Sequence, residues 1–258
     1  QNSTMDRSRR LSLALAVFVV WSLVTIYGGR LIFGQGVSLL DLVRHGISYN
    51  ILLAATVVVG ACLAFGWRDV GVAAPRPGTL RVLWFPLIYL GLLFGVALAL
   101  GFPAQLVMLF LAINTLLVGL SEELMFRGIL FRAFLTRLSL WPSIIATTAM
   151  FGSVHILNGF GTGDWSAAVV QAVAAALSGI TLMAIMLRTG SILIAIAYHS
   201  AWDFATFTVA AAQVATPASG ATPGTLASVL MPLGFVLPNA LYGLYLLRHA
   251  GRDPAVRG

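Results

Sequence analysis

Apolar runs of about 20 residues recur eight times along the chain and leave room for little else. They lie near 11–29, 47–66, 82–101, 104–126, 142–157, 167–187, 191–212 and 226–247. A helix rising 1.5 Å per residue needs about 20 such residues to cross a bilayer. Backbone polar groups in the hydrocarbon layer must be satisfied within their own segment, so the runs are expected to be helices. The fifth run is short, and the fourth continues through polar residues to Arg132 and Arg137. Residues 35–46 are too short to span and read as an interfacial helix. Charged residues make up only 9% of the chain, against about 25% in soluble domains. That is too little polar surface to face water on all sides. The expected fold is all-α: a polytopic membrane helix bundle of eight transmembrane helices, forming one integral membrane domain over 1–258.

The basic residues support this count. All fifteen are Arg, with no Lys. With the N-terminus in the cytoplasm, thirteen fall in inside segments, at 7–10, 68–81, 127–137, 188 and 248–257. Only Arg30 and Arg44 fall outside. The positive-inside rule then puts both termini in the cytoplasm. Pro and Gly at 101–103, 158–163 and 217–224 mark turns on the outer side. The scattered Arg argue against nucleic-acid binding, which needs them clustered on one surface. Cys62 is the single cysteine, so no internal disulfide can form. Residues 1–4, ahead of Met5, read as an expression scar, and the first run as a retained helix rather than a signal peptide. An all-Arg, Ala-rich chain suggests a prokaryotic plasma membrane.

Five ionisable residues have no place in this scheme. Glu122 and Glu123, the only glutamates, stand at the end of the fourth run; His155 lies in the fifth, and His199 and Asp203 in the seventh. Each such group costs about 2.5–3.5 kcal/mol at membrane depth. They are therefore expected to face one another or water inside the bundle, which marks a functional site. Glu123 and Arg127 are four apart and can pair on one helix face. Glu122 is turned about 100° away and can face elsewhere. Phe151 and His155, and His199 and Asp203, are also four apart. Each pair alone has a structural reading: an ion pair, a core histidine, a hydrogen-bonded pair. His45 and His249 read as interfacial.

Several chemistries fail on pattern. Neither Glu is preceded by His, so the His-Glu-x-x-His zinc helix is absent. Ser153 and Ser200 stand at the wrong helical spacing to meet His155 or His199. Gly161-Thr162-Gly163-Asp164 matches the Gly-x-Gly-Asp of aspartyl intramembrane proteases, but in a polar turn with no partner aspartate at depth, so it reads as chance.

Three motifs remain: Glu122-Glu123-x-x-x-Arg127, Phe151-x-x-x-His155 and His199-x-x-x-Asp203. In this order, each on its own span, they resemble the CPBP family, also called the Abi or CAAX-protease-like family. The resemblance covers roughly 104–204. It implies an eight-helix intramembrane endopeptidase similar to the type II enzymes that remove the last three residues of prenylated CAAX proteins. It further implies that Glu122 and His155 activate water, that His199 and residue 203 stabilise the oxyanion, and that Arg127 holds Glu123. The substrate would be a membrane-embedded or lipidated peptide, cut near the cytoplasmic side. Position 203 is Asp where that pattern has Asn, and an ionised Asp donates no hydrogen bond. Asp203 can instead orient His199, act protonated, or join Glu122, His155 and His199 around zinc. Zinc-dependent and metal-free mechanisms both stay open. The alternatives are a non-catalytic immunity or scaffold factor and a proton-coupled transporter.

Overall fold

A computed structural model describes residues 2–33, 39–215 and 225–252. Its regular elements are all helical among these residues: α1 (Asn2–Phe33), α2 (Leu39–Arg44), α3 (Tyr49–Ala64), a 3-10 turn (Thr79–Leu83), α4 (Trp84–Leu100) and α5 (Gln105–Glu123). A π-helical segment (Leu124–Leu130) then leads into α6 (Phe131–Leu135). There follow α7 (Leu140–Ile156), α8 (Asn158–Thr162), α9 (Trp165–Thr189), α10 (Ile192–Ala215) and α11 (Thr225–Leu247). Six helical stretches among the described residues are long and apolar enough to cross a membrane: Arg9–Gly29, Thr79–Leu100, Gln105–Leu135, Leu140–Thr162, Trp165–Thr189 and Ile192–Gln213. Two further apolar helices, Tyr49–Ala64 and Met231–Leu247, are shorter. The chain is an integral, multi-pass membrane protein.

Three expectations are refined. The interfacial segment at 35–46 appears as α2 in its second half, while 34–38 lie outside the described residues, as do the 217–224 turn, Asp253, Arg257 and Gln1. The turn at 158–163 is mostly helix, because Asn158–Thr162 forms one more turn after Leu157 before Gly163 ends it at φ 79°. The fourth run, read as continuing past 126 toward Arg137, does continue past 126. It runs as one helical stretch to Leu135, since Leu124–Phe131 are buried and need no polar cap.

Large apolar side chains face outward along the helices, including Leu31, Leu63, Leu98, Ile145 and Met231. Lipid, not water, suits such a surface. Inside, α9 packs against α7, α10 and α11, and α5 against α3 and α10. Small residues set these approaches, as membrane helices require. A Cβ at Gly119 of α5 would meet the Ser200 hydroxyl and stand 3.1 Å from the Ile196 carbonyl on α10.

The two ends of the bundle differ. At one end, the loop after α3 gathers neighbouring termini. Arg10 donates to Asp69 at 2.7 Å. Arg76 donates to the Leu187 and Arg188 carbonyls at 2.8 and 2.9 Å, closing the end of α9. The Ile192 amide donates to the Gly71 carbonyl at 2.9 Å. Partial burial raises the Asp69 pKa, but the hydrogen bond and charge of Arg10 outweigh it and hold the carboxyl below its usual range. At the other end, Asn114 of α5 ties down the loop before α3. Its carbonyl accepts from the Ser48 amide at 2.9 Å, and its amide donates to Gly46 at 2.7 Å and Val43 at 3.1 Å.

Candidate active site

Glu123 ends α5 with its side chain fully buried, and one of its oxygens organises the site. Oε1 accepts from Arg127 Nη1 at 3.0 Å and from His199 Nδ1 at 2.8 Å. A carboxylate has no proton to give, so the His199 Nδ1 must be the donor. This fixes the tautomer and turns Nε2 toward two other acids, Asp203 Oδ2 at 3.5 Å and Glu122 Oε2 at 3.8 Å. Those distances are longer than direct hydrogen bonds. The i, i+4 pairing of Glu123 with Arg127 holds as read from spacing. The bond from Glu123 to His199 was not legible there, because it spans 76 positions.

Arg127 is 1% exposed, so it is not one of the membrane-flanking arginines with which its segment was counted. It lies within the π segment, whose wider turns recur at functional sites. Its Nη2 donates to the Gly179 carbonyl of α9 at 3.2 Å, and its guanidinium lies 4.2 Å from the Phe151 ring centre. That ring also meets Phe126, His155 and His199 edge-on. Gly179 makes the arrangement possible, for a Cβ there would stand 3.1 Å from Phe151 and 3.2 Å from Arg127. Phe151 therefore supports the cation and both imidazoles. His155 donates from Nδ1 to the Phe151 carbonyl at 2.7 Å, since a carbonyl only accepts. Its Nε2 is thereby left as the acceptor of a neutral ring.

Glu122, His155, His199 and Asp203 share the wall of one cavity of about 320 Å³, at the lower edge of ligand-pocket sizes. Trp21 of α1 forms another part of that wall and donates from Nε1 to Ser121 Oγ at 2.7 Å, beside Glu122. A second cavity of about 170 Å³ lies across the same His155, His199 and Asp203, bounded by Thr181 of α9, Tyr198 of α10 and Asn239 of α11. Glu122 Oε2 and Glu123 Oε2 are buried with no hydrogen-bond partner among the described residues. Two acids next to two oriented imidazoles on a cavity wall can exchange protons with water or a polar ligand.

Among the described residues, no group of three or more His, Cys, Asp or Glu side chains comes together as a metal site. The residues set aside earlier sit elsewhere. Ser153 is exposed on α7, and Ser200 packs on Gly119. Asp164 caps α9, accepting from the Ala167 amide at 2.9 Å and Ser166 Oγ at 2.8 Å. Those two bonds hold its carboxyl below the usual range. His45 bonds the Asp41 carbonyl, and His249 is exposed beyond α11.

The segment from α5 to α10, which carries Glu122, Glu123, Arg127, Phe151, His155, His199 and Asp203, also decides the comparison with known families. Residues 103–205 match the Rce1-like type II CAAX prenyl endopeptidases. All three motifs fall inside that match, which bears out the resemblance to CAAX-protease-like proteins and supports a protease. No curated protein and no solved structure matches the chain.

Proposed function

We propose that the protein is an intramembrane endopeptidase that hydrolyses a peptide bond of a membrane-embedded or lipidated substrate. The convergence of Glu122, His155, His199 and Asp203 on one cavity carries this reading. The Rce1-like match supports it. In this mechanism Glu122 and the Nε2 of His155 draw a proton from water, and the water oxygen adds to the scissile carbonyl carbon. His199, oriented by Glu123, donates from Nε2 toward the oxyanion when it carries a second proton. The C–N bond then breaks, and the amine leaves with the proton taken from water. Asp203 accompanies the His199 ring. Arg127 and Phe151 position Glu123 and both rings and do not touch substrate. No step is routed through a metal.

This reading keeps eight crossings, with Tyr49–Ala64 and Met231–Leu247 as short spans beside the six longer ones. The test is mass spectrometry of products from purified protein in nanodiscs. Two probes serve: a farnesylated CAAX peptide and an unmodified apolar transmembrane peptide. Wild type is expected to cleave at least one, while Glu122→Ala and His155→Ala remain folded and cleave neither. Cleavage retained in both variants overturns the mechanism.

A further inference from the structure

We infer that the active-site cavity opens on the face away from the cytoplasm, and that its substrate is an uncharged polypeptide segment entering from that side. The inference rests on the proteolytic reading for its substrate, but not for its orientation. The cavity floor lies at mid-depth, where Glu122 and His199 sit within Gln105–Leu135 and Ile192–Gln213. Besides the second cavity toward α9 and α11, its walls lead to the ends of three helices. Gly29 comes from the end of α1, Asn50 from the start of α3, and Asn158 and Thr162 from α8. Arg10 lies near the start of α1 and Arg188 at the end of α9, so Gly29 and the turn between α8 and α9 stand at the other ends of those helices.

Toward the π segment and the start of α10 the floor is closed. Met125, Phe126, Ile129, Leu130 and Phe131 are each 1% exposed or less. Ile192 and Ala195 of α10 are equally dry. Beyond them lies the end where Arg10, Arg68, Arg76, Arg132 and Arg188 gather around the loop after α3. Three contacts fix that gathering: the Arg10 bond to Asp69, the Arg76 cap on α9 and the Gly71 bond to α10. At the mouth end, Arg44 is neutralised locally by Asp41 at 2.9 Å. Removing the buried Arg127 from the count leaves this asymmetry intact. Arginine in short loops marks the cytoplasmic side, so the mouth faces the other way. This reverses the side expected from the motifs.

The chemistry of the mouth narrows the ligand. Asn158 donates to Gln171 Oε1 at 3.0 Å across it, beside Thr162. Neutral amides and hydroxyls lead inward to the acid–imidazole floor, with no charged side chain among them. They suit an uncharged backbone. A lipidated tail held at the cytoplasmic leaflet would meet the closed, Arg-bearing end instead.

The test uses full-length protein with Cys62→Ala, carrying Thr162→Cys or Ser166→Cys at the mouth, or Arg137→Cys or Leu138→Cys at the other end. Spheroplasts are treated with a membrane-impermeant maleimide. The mouth positions are expected to label fully before permeabilisation and the opposite pair only after it. The two peptides named above are then added to right-side-out and inverted vesicles, and only right-side-out vesicles are expected to cleave. Inverted labelling, or cleavage confined to inverted vesicles, overturns the inference. The expected labelling with no cleavage in either vesicle or in detergent upholds the orientation and refutes proteolysis.

Discussion

Two adjacent glutamates have different work, and substitution should separate them. Glu122 Oε2 has no hydrogen-bond partner among the described residues and lies 3.8 Å from His199 Nε2. Glu122→Gln is expected to lower hydrolysis by about 10²–10⁴-fold, the usual worth of a general base, with little change in thermal unfolding. Glu123→Gln should lose activity and stability together. It strips a fully buried arginine of its counter-charge, a change that costs about 3–5 kcal/mol. An unchanged melting temperature for Glu123→Gln would contradict the hub. Asp203→Asn supplies a side chain that can donate, as in the prenyl protease pattern, so it should retain cleavage that Asp203→Leu abolishes. Asp69 offers a pH test. Its folded-state pKa is depressed, so its pair with Arg10 stabilises above the unfolded carboxyl value. That contribution fades as pH falls through the lower folded value. Asp69→Asn should therefore cost no more than about 1 kcal/mol at neutral pH, as half-exposed pairs do, and nothing in strong acid. Denaturation in detergent across pH reads both.

Among the helices, α5 and its π extension matter most, since they carry Glu122, Glu123 and Arg127 into contact with α7, α9 and α10. Their spacing depends on Gly119 and Gly179. Gly119→Leu is expected to destabilise the bundle by about 1–3 kcal/mol or more through overpacking. Gly119→Ala should cost less, because its first collision is with the Ser200 hydroxyl, which has no hydrogen-bond partner among the described residues. Adding Ser200→Ala should recover part of that loss, which a double-mutant cycle on thermal unfolding measures. Additive losses would show that the two helices do not touch as described. The short α7 and α8 together make one stretch of 23 residues. The turn residues Asn158 and Gly159 thus extend a span rather than end it, and place Asn158 and Thr162 at the mouth.

At the scale of the molecule, charge and shape together assign direction. Metal dependence belongs here too, since a bound ion would have to join donors carried by α5, α7 and α10. Elemental analysis is expected to find no stoichiometric zinc, and a chelator to leave cleavage unchanged; one zinc per chain with chelator-sensitive cleavage would reverse that. Much of this architecture was legible in the amino-acid order. Hydropathy alone dictates helices in a bilayer, because no other local structure satisfies the backbone there. The scarcity of acid alone singles out Glu122, Glu123, His155, His199 and Asp203, because each is too costly to bury idly. Spacing by four yields Glu123 with Arg127, a contact within one helix. What lay beyond the sequence was every relation between helices. That Glu123 rather than Asp203 grips His199 Nδ1, that Gly179 makes room for Arg127, and that the cavity opens away from the arginines all depend on how α1, α5, α7, α9 and α10 pack. Periodicity fixes which way a side chain points on its own helix. Only packing between helices decides what it meets.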